Sequence, residues 1–167
     1  VAEVFTQACL NEINSGDTDT ARRGLAAIDM SGLPEKTRTA LIGRFLEGRG
    51  YRVGMVAQPK WDDISDVSRM GAPRLFVGIT SGNLDSMLNK LTAQKKVRAE
   101  DQYSPGGRTN MRPNRASIVY GNLCRQAFPG VPIILGGIEA SLRRIAHYDY
   151  WSDSIRRSVL LDSKADM

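Results

Sequence analysis

Three short runs that are apolar on both faces constrain this chain more than any other feature: residues 51–57 (YRVGMVA), 75–80 (LFVGIT) and 131–135 (VPIIL). Runs of this length, bounded by glycine, proline and polar turn residues, read as strands buried on both sides. The sequence between them has the other period. Leu84, Met87, Leu88 and Leu91 fall at helical spacing, as do Ile118, Val119, Leu123, Cys124 and Ala127 within 117–128. Buried strands alternating with helices imply a parallel sheet covered on both faces and joined by right-handed crossovers. The expectation is a doubly wound α/β domain in which the three runs are neighbouring parallel strands.

The first 50 residues read as helical. Val4, Phe5, Ala8 and Cys9 share one helical face, Leu25, Ala26 and Ile28 suggest a second short helix, and Leu41, Ile42, Phe45 and Leu46 a third that stops at Gly48 to Gly50. With 167 residues, one main domain is expected. Residues 95–116 interrupt the alternation. They have no apolar period, contain Pro105, Gly106, Gly107 and Pro113, and read as a long, solvated loop.

Composition excludes several classes. Cys9 and Cys124 are isolated and His147 is the one histidine, so neither a disulfide framework nor a self-contained metal site is legible, and a reduced, cytoplasmic setting is expected. No run approaches the roughly 20 apolar residues of a membrane span, and no signal segment is visible, so the chain reads as soluble with no membrane partner. A net charge of +5 permits phosphate-bearing partners. Six basic residues of the 95–115 loop face only Glu100 and Asp101, but Tyr103 is its one aromatic, so nucleic-acid binding is expected to be weak and nonspecific.

Ligands of open parallel sheets sit beyond the carboxyl ends of the strands. Residues 58–61, 80–85 and 136–144 should therefore converge. Thr80, Ser81, Asn83 and Asp85 offer a cradle for an anion or polar ligand at a helix start, while Ser81 or Asn83 would serve equally as a helix cap. Gly136 and Gly137 permit a sharp turn and Glu139 follows where strand hands over to helix. Arg143 and Arg144 are candidates to clamp a carboxylate or phosphate, or to pair with Asp149 or Asp153 on a solvated face. His147 is the candidate acid or base, and Tyr148, Tyr150 and Trp151 are candidates to stack on a base or anchor an interface. The whole stretch, GGIEASLRRIAHYDYW, reads as a docking and active-site edge. No catalytic residue is assigned.

The segments GRFLEGRGYRVGMVAQPKW, RLFVGITSGNLDSMLNKLTA, PNRASIVY and VPIILGGIEASLRRIAHYDYWSDSIRRSVLLDSKADM resemble the amino-terminal domain of YgiQ-like radical S-adenosylmethionine (SAM) proteins over residues 40–167. The resemblance implies a Rossmann-like, three-layer accessory domain, similar in layout to cobalamin-binding domains. It would precede a barrel that carries an iron–sulfur cluster on CxxxCxxC and uses SAM. That motif is absent here, and so is the Asp-x-His-x-x-Gly loop of cobalamin binders, since His147 is followed by Tyr148, Asp149 and Tyr150. The implied partners are the missing catalytic domain and an unknown substrate, with no cofactor held by this chain. The chain departs from the family pattern at 26–39, AAIDMSGLPEKTRT, where a TGDAYVDHPSFG-like loop would stand, so residues 1–39 read as a helical segment that does not match the family, its origin left open. At Ala165-Asp166-Met167 the family pattern would enter another strand, so the domain reads as truncated. The alternative is an RNA- or nucleotide-phosphate-binding module using the 95–115 loop with Arg143 and Arg144.

Overall fold

The computed structural model describes residues 5–9 and 35–167. Its main sheet has four strands in the order β2-β1-β3-β4: β1 Phe5–Cys9, β2 Arg52–Val56, β3 Phe76–Thr80 and β4 Ile133–Gly136. The three apolar runs form β2, β3 and β4. β3 and β4 pair in parallel, with Val77 opposite Ile133 and Ile79 opposite Leu135.

β1 corrects two expectations. Residues 5–9 form a strand, and that strand lies antiparallel between β2 and β3, pairing Thr6 with Met55 on one side and with Gly78 on the other. β2 and β3 therefore point the same way without being neighbours, and the sheet is mixed. The spacing of Phe5, Ala8 and Cys9 fits a helix, but a run of five residues gains more from two ladders of backbone hydrogen bonds than from a single helical turn. The helix expected around Leu25 to Ile28 lies outside the described residues.

The helices divide between the two faces. Helix α1, Glu35–Glu47, crosses one of them, where a Cβ on its Gly43 would meet Val53 at 3.5 Å. Val56 of β2 points the opposite way. It joins Val77, Ile79 and Ile133 in a core closed by Ala116, Tyr120, Cys124 and Phe128 of helix α4 (Ala116–Ala127) and its end. Val67, from the short helix α2 (Ser65–Ser68), completes that layer. Such clustering of fully buried aliphatic and aromatic side chains supplies most of the driving force for folding.

Helix α3 (Ser86–Lys90) follows β3, and α5 (Gly137–Leu142) follows β4 directly. A two-stranded ribbon comes next, β5 His147–Asp149 against β6 Ser154–Arg156, and then α6, Val159–Ser163. After α6 the chain returns to the sheet. Leu135 N–H donates to the Met167 carbonyl at 2.7 Å and Met167 N–H donates to the Ile133 carbonyl at 3.2 Å, the slanted pattern of a parallel pair on the outer edge of β4. Among the described residues no helix is long and apolar enough to cross a membrane.

The 95–115 loop is exposed over most of its length, as expected, but it is anchored to the domain at a few buried residues. Asp101, Ser104 and Arg112 are buried, and one nitrogen of Arg112, Nη2, donates to both oxygens of Asp101 at 2.8 and 2.9 Å. Ser104 Oγ donates to Asp101 at 2.7 Å and receives Gln58 Nε2 at 2.7 Å. Most of the charge run stays solvated, while Arg112 turns inward and pins the segment to the domain because it finds one of the loop's two acids.

Candidate functional site

The loop after β3 and the helix after β4 meet through two carboxylates. Asp85 is the N-cap of α3: its Oδ1 accepts from Met87 N–H at 3.0 Å and Leu88 N–H at 3.2 Å. The cap is thus neither Ser81 nor Asn83, because the helix starts later than its apolar period suggests. Ser81 Oγ instead donates to the Leu84 carbonyl at 3.3 Å, and Thr80 Oγ1 accepts from Gly82 N–H at 3.3 Å.

Glu139, 1% exposed, joins three elements. Its Oε2 accepts from Ser86 N–H at 2.8 Å, in the first turn of α3, and its Oε1 from Ser117 N–H at 2.9 Å, in the first turn of α4. Each helix leaves N–H groups unpaired at its start, and a carboxylate there also meets the positive end of the helix dipole. Ser86 Oγ adds a third link by accepting from Ala116 N–H at 3.0 Å. Of the double glycine, only Gly137 needs to be glycine, with φ of 79°, whereas Gly136 is extended.

Arg143 completes the cluster by donating to Asp85 Oδ2. Burial alone would lower its pKa, but the hydrogen bond and charge of Asp85, with Glu139 and Asp149 nearby, hold it above the ordinary arginine value. Asp149 pairs in turn with Arg115 and accepts from Ser152 Oγ at 2.5 Å. Burial pushes its carboxyl up, and Ser152 and Arg115 together bring it below the usual range. Buried charges on this scale persist only when paired and hydrogen-bonded.

Arg143 and Arg144 do not act as a common clamp. Arg143 turns inward to Asp85, while Arg144 is exposed. His147 is half-buried, with Nδ1 3.0 Å from the Ile145 carbonyl and no acidic partner at Nε2. Tyr150 donates to the Ala93 carbonyl at 2.7 Å, lies 4.7 Å beneath Lys95 Nζ and meets Trp151 edge-on at 5.3 Å between ring centroids. It therefore ties the ribbon's turn to the 95–115 loop rather than standing ready for a base.

Residues 80–85 and 136–143 converge as expected. Residues 58–61 do not join them: Gln58 reaches Ser104, and the Pro59 carbonyl accepts from Tyr120 Oη at 3.0 Å. β1, inserted between β2 and β3, moves this loop one strand aside.

Around the cluster several large apolar residues are exposed among polar ones such as Ser141 and Arg144. Ile138 and Leu142 are four residues apart on α5, and Tyr148 stands directly opposite Ile155 in the ribbon, which places each pair on one face. Ile145, between them in sequence, is 68% exposed and Ile155 is 76% exposed. Exposed apolar residues at this density mark interaction surfaces. Of these positions only Tyr148 is among the sequence candidates, and neither the isoleucines and leucine nor the paired roles of Asp101, Arg112 and Arg115 are marked by local pattern.

The residues present do not fit an iron–sulfur cluster. Among the described residues no group of three His, Cys, Asp or Glu side chains comes together, and Cys124 is buried with its thiol pushed up to about 12 by desolvation.

The arrangement is that of an α/β domain whose loops beyond the sheet are locked by internal ion pairs and whose outer elements carry exposed apolar residues. The chain belongs to the radical SAM N-terminal family, whose model matches residues 28–167, beginning ahead of the 40–167 span on which the resemblance was read. It is 59% identical over 128 residues to a UPF0313 protein of Vibrio vulnificus, 58% identical over the same length to one of Pseudomonas aeruginosa, and 56% identical to a putative UPF0313 protein of Yersinia pestis. These matches cover 77% of this chain and 17%, 17% and 16% of the respective relatives, so the chain spans about a sixth of their length. No solved structure gives a significant match.

Proposed function

We propose that this chain is the accessory, Rossmann-like amino-terminal domain of a cytoplasmic YgiQ-like radical SAM protein, and that it docks on the catalytic domain to shape the active site or help hold substrate. The unit takes in the matched residues 28–167 together with β1, whose two ladders join β2 to β3. The iron–sulfur cluster and SAM belong to the catalytic domain, in keeping with the poor fit of this chain's residues to a cluster. The observation that carries the reading is the set of exposed apolar residues Ile138, Leu142, Ile145, Tyr148 and Ile155, on a helix and a ribbon that the Asp85–Arg143, Glu139 and Arg115–Asp149 contacts tie to the domain. Apolar residues on elements already held in place lose less entropy on docking. The occupant is the remaining five-sixths of a protein as long as the relatives. Nucleic acid is at most a weak partner, since Arg112 and Arg115 of the basic loop are held by Asp101 and Asp149.

The test replaces Ile145 and Ile155 with Asp, singly and together, in the full-length protein. The expected result is a native fold with a protease-sensitive junction between the domains and reduced SAM cleavage. Unchanged domain association and turnover in the double variant would remove the docking role.

A further inference from the structure

A second feature lies away from these exposed apolar residues, between α3 and the segment 98–112. A cavity of about 10 Å³, room for one oxygen-sized atom, opens to the surface there and is lined in part by Lys90, Arg98, Glu100, Asp101, Asn110 and Arg112. Arg112 is 4% exposed, yet among the described residues its Nε and Nη1 have no hydrogen-bond partner, because Nη2 alone makes both contacts with Asp101. A guanidinium carries five N–H donors and is costly to bury with several unused. Asp101 does not answer them. Its oxygens already take Arg112 Nη2, Ser104 Oγ and Tyr103 N–H.

The remaining charge in the cavity is positive. Lys90 Nζ donates to Asn110 Oδ1 at 2.7 Å and Arg98 Nε to the Leu88 carbonyl at 3.1 Å, both neutral acceptors, so neither cation is neutralised by these bonds. Glu100 is the one lining acid besides Asp101, and it is exposed. We propose that this cavity is a binding site for an oxyanion group, the phosphate or carboxylate of a small ligand, with one oxygen seated against Arg112 and the rest of the group held at the mouth by Lys90 and Arg98. Charge-assisted hydrogen bonds from a buried arginine are among the stronger polar contacts a protein makes. The site is independent of the docking face and does not rest on the role proposed for it.

The experiment titrates inorganic phosphate and, separately, acetate into the 167-residue chain at constant ionic strength, following backbone amide and arginine side-chain NMR signals. Saturable shifts confined to residues 86–112 are expected for at least one anion. The affinity should fall about fivefold or more in Lys90→Gln and Arg98→Gln, whose side chains sit at the rim and can be changed without burying a new charge. Saturation by phosphate alone identifies a phosphate site, by acetate alone a carboxylate site, and by both a general oxyanion site. Shifts that grow linearly with either anion, or saturable binding that both variants leave intact, would overturn the assignment.

Discussion

Arg143 and Asp85, 58 positions apart in sequence, form a buried ion pair in which the aspartate is also the cap of a helix. One residue thus fixes both the start of α3 and the end of α5. Replacing Arg143 with Met should cost about 3–5 kcal/mol, because it leaves Asp85 charged and buried without its partner. Adding Asp85→Asn should recover part of that loss, since asparagine still caps a helix. Urea midpoints of the two single variants and the double variant measure the coupling. Native stability in Arg143→Met would show that the pair contributes nothing.

Glu139→Gln should destabilise by about 1–3 kcal/mol, although it changes almost no volume. An amide carries one acceptor oxygen where two backbone N–H groups, of Ser86 and Ser117, now have one each. The expected signature is faster amide hydrogen exchange in the first turns of both α3 and α4. Exchange that speeds up in only one helix would mean that Glu139 does not couple them.

Asp101 sets an acid limit. Burial pushes its carboxyl up, but hydrogen bonds from Asn89, Ser104, Arg112 and Tyr103 N–H outweigh it and bring the folded pKa from 3.8 down to about 2. A depressed folded pKa gives stability that is complete above the unfolded value and is lost as pH falls through the folded one. The shift corresponds to roughly 2 kcal/mol, released between about pH 4 and pH 2. Thermal unfolding across that range should be steeper in pH for the native protein than for Asp101→Asn. Parallel profiles would contradict the assignment.

Cys124 should be inert in the folded protein. It is fully buried in the core, and desolvation holds its thiol at about 12, far from the thiolate that alkylating reagents need. Iodoacetamide labelling followed by peptide mass spectrometry should modify it only at denaturant concentrations that unfold the domain. Rapid labelling under native conditions would mean that α4 opens locally.

The sequence disclosed what depends on local pattern and concealed what depends on pairing. β2, β3 and β4 were legible as continuous apolar runs bounded by glycine, proline and polar residues, and α1 and α4 because an apolar helical period runs through them. β1 was misread because Phe5, Ala8 and Cys9 satisfy a helical spacing as well, and only two distant strands decide the matter. The ribbon of β5 and β6 has three residues per strand, too few for any period to show. In the candidate site, Asp85, Glu139 and Arg143 stand out by type and position, but the contacts that join them span 53 and 58 residues and leave no local pattern. Asp101 and Arg112 were hidden by the opposite effect. A basic, glycine- and proline-containing segment carries no mark of which single arginine will turn inward.

The parallel contact of Met167 with the outer edge of β4 fixes a heading. Backbone laid along β4 in that register runs toward the end of the sheet where Gly136 gives way to α5. The outward-facing N–H groups of Ile133 and Leu135 are then both taken, by Asp166 Oδ2 and the Met167 carbonyl. An edge whose donors are already used offers little template to a foreign strand, so β4 is protected from pairing with a second chain.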